Sequence, residues 1–310
     1  MFMIAEARQM DQAAAEHKRA VQAVGLLLLA LVCFDLMGVL VRLLSARYSP
    51  LELSAYRNVL GIVPSLALLV VTGELRLRGT DLRIEKWPLA VVRGLVVAVA
   101  QVFFYGALAV LELATVSALA QTNALFVVML SVVLLGERVG PWRIAALVIG
   151  FAGAVWIMRP GSEAFSVYAL LPVGAALCYA FSMISVRFFG PGTSNGLLYL
   201  YASGSAAVGA IILAALTTEF TALASWLDAG MILVMSILGG TGVLFMMLAY
   251  RMGAPSLLAP FGYFGLITAF VFGWVFFGEA PVDTLFPGVV LIVAAGALII
   301  WRERRVKTVD

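Results

Sequence analysis

The sequence predicts an all-α integral membrane protein with ten transmembrane helices, arranged as two inverted five-helix repeats around a central cavity. Three observations lead to this fold class. The chain is 63% hydrophobic and 12% charged, whereas about a quarter of the residues of an ordinary soluble domain are charged. The apolar residues form blocks of about 20, the length of a helix that crosses a bilayer. Two of these blocks, roughly 140 residues apart, end in the same Gly-Glu pair.

Ten spans are predicted from the blocks between charges, glycines and prolines. They cover residues 21–45, 50–72, 87–109, 113–135, 141–158, 166–188, 196–216, 229–250, 255–277 and 281–301. Spans of this length favour helices over the shorter strands of a membrane barrel, and a helix satisfies its own backbone hydrogen bonds in lipid. The connections are short, so we expect no domain outside the membrane.

The two ends of the chain are predicted to be tails. The first twenty residues mix Glu6 and Asp11 with Lys18 and Arg19, whereas a cleavable signal peptide places basic residues before an apolar core. We therefore expect residues 1–20 to form a cytoplasmic tail, either mobile or folded as a short interfacial helix. Residues 302–310 are expected to form a basic cytoplasmic tail.

The distribution of Lys and Arg predicts the orientation. With the N-terminus inside, the outer ends carry three basic residues, Arg42, Arg47 and Arg159. Arg57 falls inside the second span, and the inner segments carry the other sixteen, which are Arg8, Lys18, Arg19, Arg76, Arg78, Arg83, Lys86, Arg93, Arg138, Arg143, Arg187, Arg251, Arg302, Arg304, Arg305 and Lys307. Basic loops remain cytoplasmic during insertion, so both termini are predicted on the cytoplasmic side of a bacterial inner membrane.

The net charge of +3 therefore describes a face that meets membrane lipid. A nucleic-acid interface would need a basic patch on a folded soluble surface, and none is expected in this chain.

Aligning the two Gly-Glu pairs brings more of the chain into register. Cys33 and Arg42 in the first span correspond to Cys178 and Arg187 in the sixth, with the same nine-residue separation. Similarly, GAVWIM at 153–158 corresponds to GALIIW near the end of the chain. The chain is therefore predicted to consist of two related halves.

The halves are predicted to be residues 21–158 and 159–301. Because each contains five spans, the second enters the membrane from the opposite side. Glu137 and Glu279 then lie at opposite faces, each after a glycine suited to ending a helix. Each glutamate is a solvated interfacial charge, or else a gate or packing contact. Inverted halves allow access to a site near the midplane to alternate, as in secondary transporters.

These features resemble the drug/metabolite transporter superfamily, specifically its EamA-type bacterial exporters, over nearly the whole chain after residue 20. Within that superfamily the sequence is most similar to exporters of amino acids, including aromatic ones. The resemblance implies a basket of helices, with spans three, four, eight and nine near the central cavity and spans one and six in its walls. The family often has proline in the middle of spans four and nine. Here Pro255 and Pro260 lie near the start of span nine, and span four has none.

Asp35 is a candidate for proton coupling because it lies about 15 Å from the inner end of span one, at about 1.5 Å per residue. An ionised group at that depth costs at least about 2.5 kcal/mol, so it is expected to face the interior. It either binds a substrate amine or a proton, or forms an ion pair with a neighbouring helix, for example through Arg57. Arg57 itself is interpreted as structural, because a long arginine can extend to the interface.

Other polar and aromatic residues recur at mid-depth in corresponding spans of the two halves. Together with Asp35, they give the predicted substrate-binding set, which is Asp35, Gln101, Tyr105, Gln121, Asn123, Tyr179, Ser182, Thr241, Phe245 and Tyr263. An aromatic lining with a few hydrogen-bonding groups suits a small amphipathic ligand. The alternative is that these groups join transmembrane helices to one another.

The predicted function is export of amino acids or similar small amphipathic metabolites by alternating access, either coupled to protons or as a facilitated uniport. Efflux of toxic compounds, uptake of another metabolite, and a channel or a membrane-embedded structural partner are the alternatives. The sequence contains no phosphate-binding GxxxxGK[ST] loop, and two cysteines and one histidine cannot build a metal site. We therefore expect no enzyme activity, cofactor or metal. The sequence sets no oligomeric state, and a monomer is compatible with it.

Overall fold

The computed structural model describes residues 2–71, 84–136, 140–158, 166–189, 193, 195–252, 258 and 261–307, and the regular secondary structure in these residues is entirely helical. The α-helices are α1 Phe2–Leu44, α2 Pro50–Leu60, α3 Ile62–Val71, α4 Trp87–Leu108, α5 Leu113–Ala120, α6 Asn123–Leu135, α7 Pro141–Met158, α8 Leu170–Ser185, α9 Asn195–Thr217, α10 Trp226–Met252, α11 Phe264–Phe277, α12 Val282–Leu285 and α13 Gly288–Lys307. Single 3-10 turns flank α8 on both sides.

Six helical stretches within the described residues are long and apolar enough to cross a bilayer. They are Lys18–Leu44, Trp87–Leu108, Leu113–Leu135, Val167–Phe188, Leu200–Thr217 and Trp226–Tyr250. Three shorter apolar helices are Ile144–Met158, Phe264–Phe277 and Gly288–Leu298. The chain is therefore a multi-pass, all-helical membrane protein.

The helices at the two ends of the chain differ from the predicted spans. Helix α1 begins at Phe2, so the segment expected as a tail continues into the first apolar helix. The last long helix begins at Gly288 rather than near residue 281, because Val282–Leu285 forms a separate short helix. Pro287 then precedes α13, and a proline lacks the N–H that a continuous helix would need there.

The predicted second span is divided into α2 and α3 at Gly61. A Cβ at Gly61 would lie 3.2 Å from the carbonyl oxygen of Ser236 on α10, so glycine allows the two backbones to approach closely. Pro64 follows three residues later and has no N–H for the carbonyl of Leu60. The division of this span thus has two local causes.

The glycines of the two Gly-Glu pairs both end helices. Gly136 follows α6 with φ 65° and Gly278 follows α11 with φ 69°, in the left-handed region that glycine adopts readily. Each glycine N–H donates to carbonyls of the last turn. The predicted use of glycine as a helix stop is confirmed at both positions, whereas Glu137 lies outside the described residues.

Helices α1 and α11 run in the same direction. The Thr268 hydroxyl bonds to Asp35 about two and a half turns before the end of each helix, and Arg42 meets Glu279 where both helices finish. We call this side of the bundle the Leu44 end, after the last residue of α1.

The broken helix α5–α6 runs opposite to α11. Leu113 lies beside Gly273 near the Leu44 end, and Gln121 bonds to Gly262 further away from it. Helix α6 therefore finishes at the opposite side of the bundle, which we call the Leu135 end. It follows that the two left-handed glycines lie at opposite ends of the bundle.

The packing of the helices follows the sequence correspondence between the halves. Helix α1 packs on α10, and α8 packs on α4. Helix α4 packs on α9, and their counterparts α10 and α2 pack on each other in the same way. Helix α6 packs on α8, and their counterparts α11 and α1 also pack on each other. In two of the remaining large contacts, α7 with α13 and α2 with α9, a helix meets its own counterpart. If each helix is replaced by its counterpart in the other half, every one of these contacts becomes another of these contacts or itself.

The contact between α7 and α13 depends on two facing glycines. A Cβ at Gly153 would lie 2.6 Å from the carbonyl oxygen of Gly288, and one at Gly288 would lie 2.7 Å from that of Gly153. Neither backbone oxygen can move away as the end of a flexible side chain could. A larger residue at either position must therefore separate the helices.

We predict that Gly153→Ala lowers the stability of the purified protein by about 1 to 3 kcal/mol, the usual range for overpacking. Gly204→Ala on α9 is the matched control, because a Cβ there meets nothing within 4 Å. In a helix with free space, Ala is better than Gly by up to about 1 kcal/mol. The thermal unfolding midpoints of the two variants, measured in detergent, should therefore shift in opposite directions from that of the wild type. Equal shifts would contradict the proposed contact.

Candidate functional site

A surface rich in glycine on α10 receives three large side chains from neighbouring helices. A Cβ at Gly239 would lie 2.8 Å from both Nε of Arg57 and Sδ of Met37. A Cβ at Gly242 would lie 2.8 Å from the ring of Phe34. Both glycines are therefore needed for their lack of a side chain, since they leave room for these groups inside the bundle.

Arg57 on α2 extends its guanidinium across the bundle. Its Nη2 donates to the carbonyl of Gly239 at 3.2 Å, and its Nη1 donates to Oδ1 of Asn58 at 3.1 Å. Gly239 lies about 20 Å along α10 from Trp226, at about 1.5 Å per residue. The head group therefore points into the interior, and the interpretation that Arg57 extends to the interface is wrong.

The guanidinium of Arg57 is incompletely paired. Its Nε is buried and has no hydrogen-bond partner among the described residues. No carboxylate in the part of the chain that the structure describes forms an ion pair with Arg57, because the two ion pairs found there are made by Arg42 and Arg47. Arg57 is thus a deep cation without an anionic partner in the described structure.

A buried amide network joins α2 to α4 beside this arginine. Asn58 donates to the side-chain oxygen of Gln101 at 2.5 Å and to the Ser54 carbonyl at 2.9 Å. The Ser54 hydroxyl also donates to the same Gln101 oxygen at 3.3 Å. Ser54, Asn58 and Gln101 are all buried. The network therefore holds Asn58 in the position where its oxygen accepts from Arg57.

Two tyrosines complete the surroundings of Arg57. Tyr105 on α4 is fully buried and its hydroxyl lies 3.6 Å from Sδ of Met37. The positive charge of Arg57 acts on the hydroxyls of both Tyr105 and Tyr179, the latter on α8. We call Arg57, Asn58, Gln101, Tyr105 and Tyr179 the Arg57 cluster. Three of its members are predicted site residues, and it draws on helices from both halves of the chain.

Asp35 lies on another side of α1. It is 9% exposed and accepts a hydrogen bond from the Thr268 hydroxyl on α11. Met37, two residues later, faces Arg57, and helix positions two apart point in directions about 200° apart. The ion pair between Asp35 and Arg57 that the sequence left open is absent from the described structure.

Gln121, Asn123 and Tyr263 lie at helix breaks. The turn between α5 and α6 falls at Gln121 and Thr122, without a proline, and Tyr263 forms the turn before α11. The Gln121 amide donates to the Gly262 carbonyl at 3.2 Å. Gln121 thus links the two broken helices and satisfies a carbonyl beside the second break.

The remaining polar contacts at these breaks also join helices. Asn123 donates to the Ala176 carbonyl on α8 at 3.0 Å. The Tyr263 hydroxyl lies so close to Gly296 on α13 that a Cβ there would overlap it. In this structure Asn123 is therefore engaged in helix contacts, the alternative reading of the polar set, and Tyr263 lies against α13.

The last three predicted site residues lie apart from these groups. Ser182 on α8 is buried, and its backbone carbonyl accepts from Nε of Arg93 at 3.0 Å. Thr241 and Phe245 are half-buried on α10, the helix that carries Gly239. The structure thus divides the predicted set into several locations.

Ion pairs join the helices at the Leu44 end. Arg42 forms a salt bridge with Glu279, and its guanidinium carbon lies 4.5 Å from the centre of the Phe277 ring. Glu112, in the connection before α5, lies close enough for electrostatic interaction with both charges. Partial burial raises the pKa of Glu112, and the charge of Glu279 adds to the rise. These contacts join α1, α11 and the start of α5.

A second group of contacts at this end holds the connection between α9 and α10. Asp228 is buried and accepts hydrogen bonds from Arg47 and Tyr48, each at 3.0 Å. Glu52, also buried, accepts from the backbone N–H of Thr221. The end of α1 and the start of α2 are thus tied to the second half of the chain.

Two cavities are lined by residues outside the Arg57 cluster. One, of about 470 Å³, is lined by Ile84, Glu85, Trp87 and Tyr201 at the Leu135 end. The other, of about 400 Å³, lies between α2, α9 and α10, with Tyr56 and Phe220 in its wall. None of the ten predicted site residues lines either cavity. Among the described residues, no group of three His, Cys, Asp or Glu could hold a metal ion.

One segment of the chain matches a known family. Residues 21–159 match the model of the EamA-like transporter family. These residues belong to that family. The predicted resemblance to EamA-type transporters is confirmed, and the family consists of membrane transporters rather than enzymes.

Curated relatives of EamA type extend over most of the chain. The pseudopaline exporter CntI of Pseudomonas aeruginosa strain UCBPP-PA14 is 28% identical and covers 87% of this chain and 93% of its own. A riboflavin transporter of Brucella anthropi is 29% identical and covers 80% of this chain and 87% of its own. An S-adenosylmethionine uptake transporter of Rickettsia felis is 23% identical and covers 93% of this chain and 95% of its own. These relatives are named for different small molecules, so their names do not identify one substrate.

A solved structure, titled "Crystal structure of protein", has the same overall fold. It is 20% identical to this chain, with a TM-score of 0.63, and covers 91% of this chain and 97% of its own. At this identity the likeness concerns the fold alone.

We predict that Thr268→Val destabilises the protein by about 1 to 3 kcal/mol, because Asp35 would stay buried without its hydroxyl donor. The cost should be smaller in an Asp35→Ala background, since the acceptor is then already gone. Thermal unfolding of the four proteins of this cycle measures the difference. Thr217→Val, which removes a hydroxyl bonded only to its own helix, is the control. Additive effects of the two substitutions would show that this hydrogen bond contributes nothing.

Proposed function

We propose that this protein is a secondary transporter that exports amino acids or similar small amphipathic metabolites across the bacterial inner membrane by alternating access. The Arg57 cluster is the observation that carries the proposal. It combines a deep cation with amide and phenol groups, and it lies between α2 and α4 of the first half and α8 and α10 of the second. A small ligand bound there would contact both halves.

We further propose that the chain crosses the membrane ten times, as inverted halves of residues 21–158 and 159–301. The paired packing of the helices and the position of the two left-handed glycines at opposite ends support this arrangement. The distribution of basic residues favours a cytoplasmic Leu135 end, with both termini on that side.

In this proposal, the described conformation is closed at the Leu44 end. The salt bridge of Arg42 with Glu279, and the bonds that Asp228 and Glu52 accept, cross between helices at that end. The cavity beside Trp87 opens at the other end. Alternating access requires these contacts to separate when the outward side opens.

The topology is tested by labelling with a membrane-impermeant maleimide. Gly140 and Ala280 are exposed and follow the two left-handed helix ends. In a background without Cys33 and Cys178, we predict that Ala280→Cys reacts in intact spheroplasts and Gly140→Cys reacts only in inverted vesicles. The cysteine-free protein is the control. Reaction of both positions from the same side would refute the inverted halves.

Transport is tested with the purified protein in liposomes, using each of the twenty amino acids in labelled form. We predict saturable flux of at least one of them and faster exchange when the same compound is loaded on the opposite side. A channel would show no such acceleration. If Asp35 carries a proton, Asp35→Asn should remove the pH dependence of flux, while Glu85→Gln, at an exposed carboxylate, should preserve it. Unchanged pH dependence of flux in Asp35→Asn would rule out a role of Asp35 in proton coupling.

Uptake of another metabolite, or efflux of toxic compounds, is the second candidate. Two of the relatives are a riboflavin transporter and an S-adenosylmethionine uptake transporter. The same liposomes distinguish these functions, because riboflavin or S-adenosylmethionine would then compete with the reference amino acid or replace it.

A further inference from the structure

The pairing of Arg57 leaves a place for an anionic ligand. Within the described residues, two of its N–H groups are engaged, one with Asn58 and one with the carbonyl of Gly239. Both acceptors are uncharged, and Nε has no partner among the described residues. Nε lies against Gly239 and is buried, so the N–H groups left for a ligand are the second ones on Nη1 and Nη2, which can donate to the two oxygens of a carboxylate.

The position of Arg57 makes an unpaired charge costly. A cation in the middle of a transmembrane bundle costs at least about 2.5 kcal/mol and is normally paired or turned toward a watery space. The side chain as a whole is half-buried, although its Nε is covered. Arg57 therefore lacks a counter-charge in the described part of the chain, while its side chain as a whole remains partly exposed.

The neighbouring residues hold the guanidinium in place. Asn58 is fixed by its bonds to Gln101 and Ser54, and Gly239 has no side chain that would obstruct the arginine. Arg57 is thus bound on one side by polar groups that carry no charge. Such a fixed fork loses little conformational freedom when it binds an anion.

We propose that Arg57 binds the carboxylate of the transported compound, so that the site takes substrates with a singly charged acid group. This inference rests on the proposed transport function and deepens it. One cation in the Arg57 cluster balances one carboxylate, whereas a phosphate monoester would leave excess negative charge in the bundle.

The test measures binding by the purified full-length protein, independently of transport. Phenylacetate and phenylacetamide have nearly the same shape and differ in charge. Their affinities are obtained from the concentration dependence of the thermal unfolding midpoint. We expect the wild type to bind phenylacetate about tenfold or more tightly than phenylacetamide, in line with a charge-assisted hydrogen bond. No binding of phenylacetate, equal binding of the amide, or tighter binding of phenyl phosphate would overturn the proposal.

Variants separate binding from a structural role. Arg57→Gln should abolish the preference for phenylacetate over the amide. Arg57→Lys, which keeps the charge but not the fork, should bind phenylacetate more weakly and still prefer it. Arg93→Gln is the matched control, because Arg93 is also embedded in the bundle but bonds to the Ser182 carbonyl, and it should retain the full preference. If Arg57→Gln fails to fold, the proposal is tested with Arg57→Lys alone. An unchanged affinity of Arg57→Lys for phenylacetate would then contradict binding of the carboxylate by the guanidinium.

The outcomes also distinguish this inference from the transport proposal. Phenylacetate binding that depends on Arg57, in liposomes that move no amino acid, supports the anion site and refutes amino-acid transport. Flux of amino acids together with binding that ignores Arg57 supports transport and overturns the site.

Discussion

Close approach between helix backbones is the constraint on which this bundle depends. Lipid tails are as apolar as leucine, so transmembrane helices gain little from the hydrophobic effect and associate through packing and hydrogen bonds instead. The contacts of Gly153 with Gly288 and of Gly61 with Gly240 bring backbone atoms together where a single methyl group would collide. The same kind of contact positions the candidate site, because Gly239 and Gly242 admit Arg57 and the Phe34 ring.

Polar side chains also determine where the helices can break. A broken helix in a membrane is tolerated when neighbouring groups satisfy its free carbonyls. Gln121 does this for Gly262, and Asn123 bonds to the Ala176 carbonyl. These residues come from the first half and bind to the second, so the breaks lie where the halves meet. A few residues at element ends commonly absorb the change in backbone angle when domains move, and the turns at Gln121 and Tyr263 have that position.

The sequence predicts the features that depend on local rules. Helix extents follow from the apolar blocks, and both left-handed glycines follow from the repeated Gly-Glu pair. The turn at Gln121 and Thr122 is missed because no glycine or proline marks it. The inward direction of the Arg57 side chain is missed for another reason. It depends on Gly239, which lies on a helix distant in the sequence. The sequence brings Gln101 and Tyr105 together on one helix face, but it cannot show that a cation without an anionic partner in the described structure lies beside them.

The contacts at the Leu44 end differ in how easily they could separate. Asp228 and Glu52 are buried and hold several hydrogen bonds each, which ties α2 and the end of α1 to the connection before α10. Arg42 and Glu279 have side chains 20% and 16% exposed, and pairs near the surface contribute only about 0 to 1 kcal/mol. Under the proposed alternation, the contact between α1 and α11 is therefore the one expected to open. Asp35 and Thr268 lie in that same contact, so the charge on Asp35 would influence whether it stays closed.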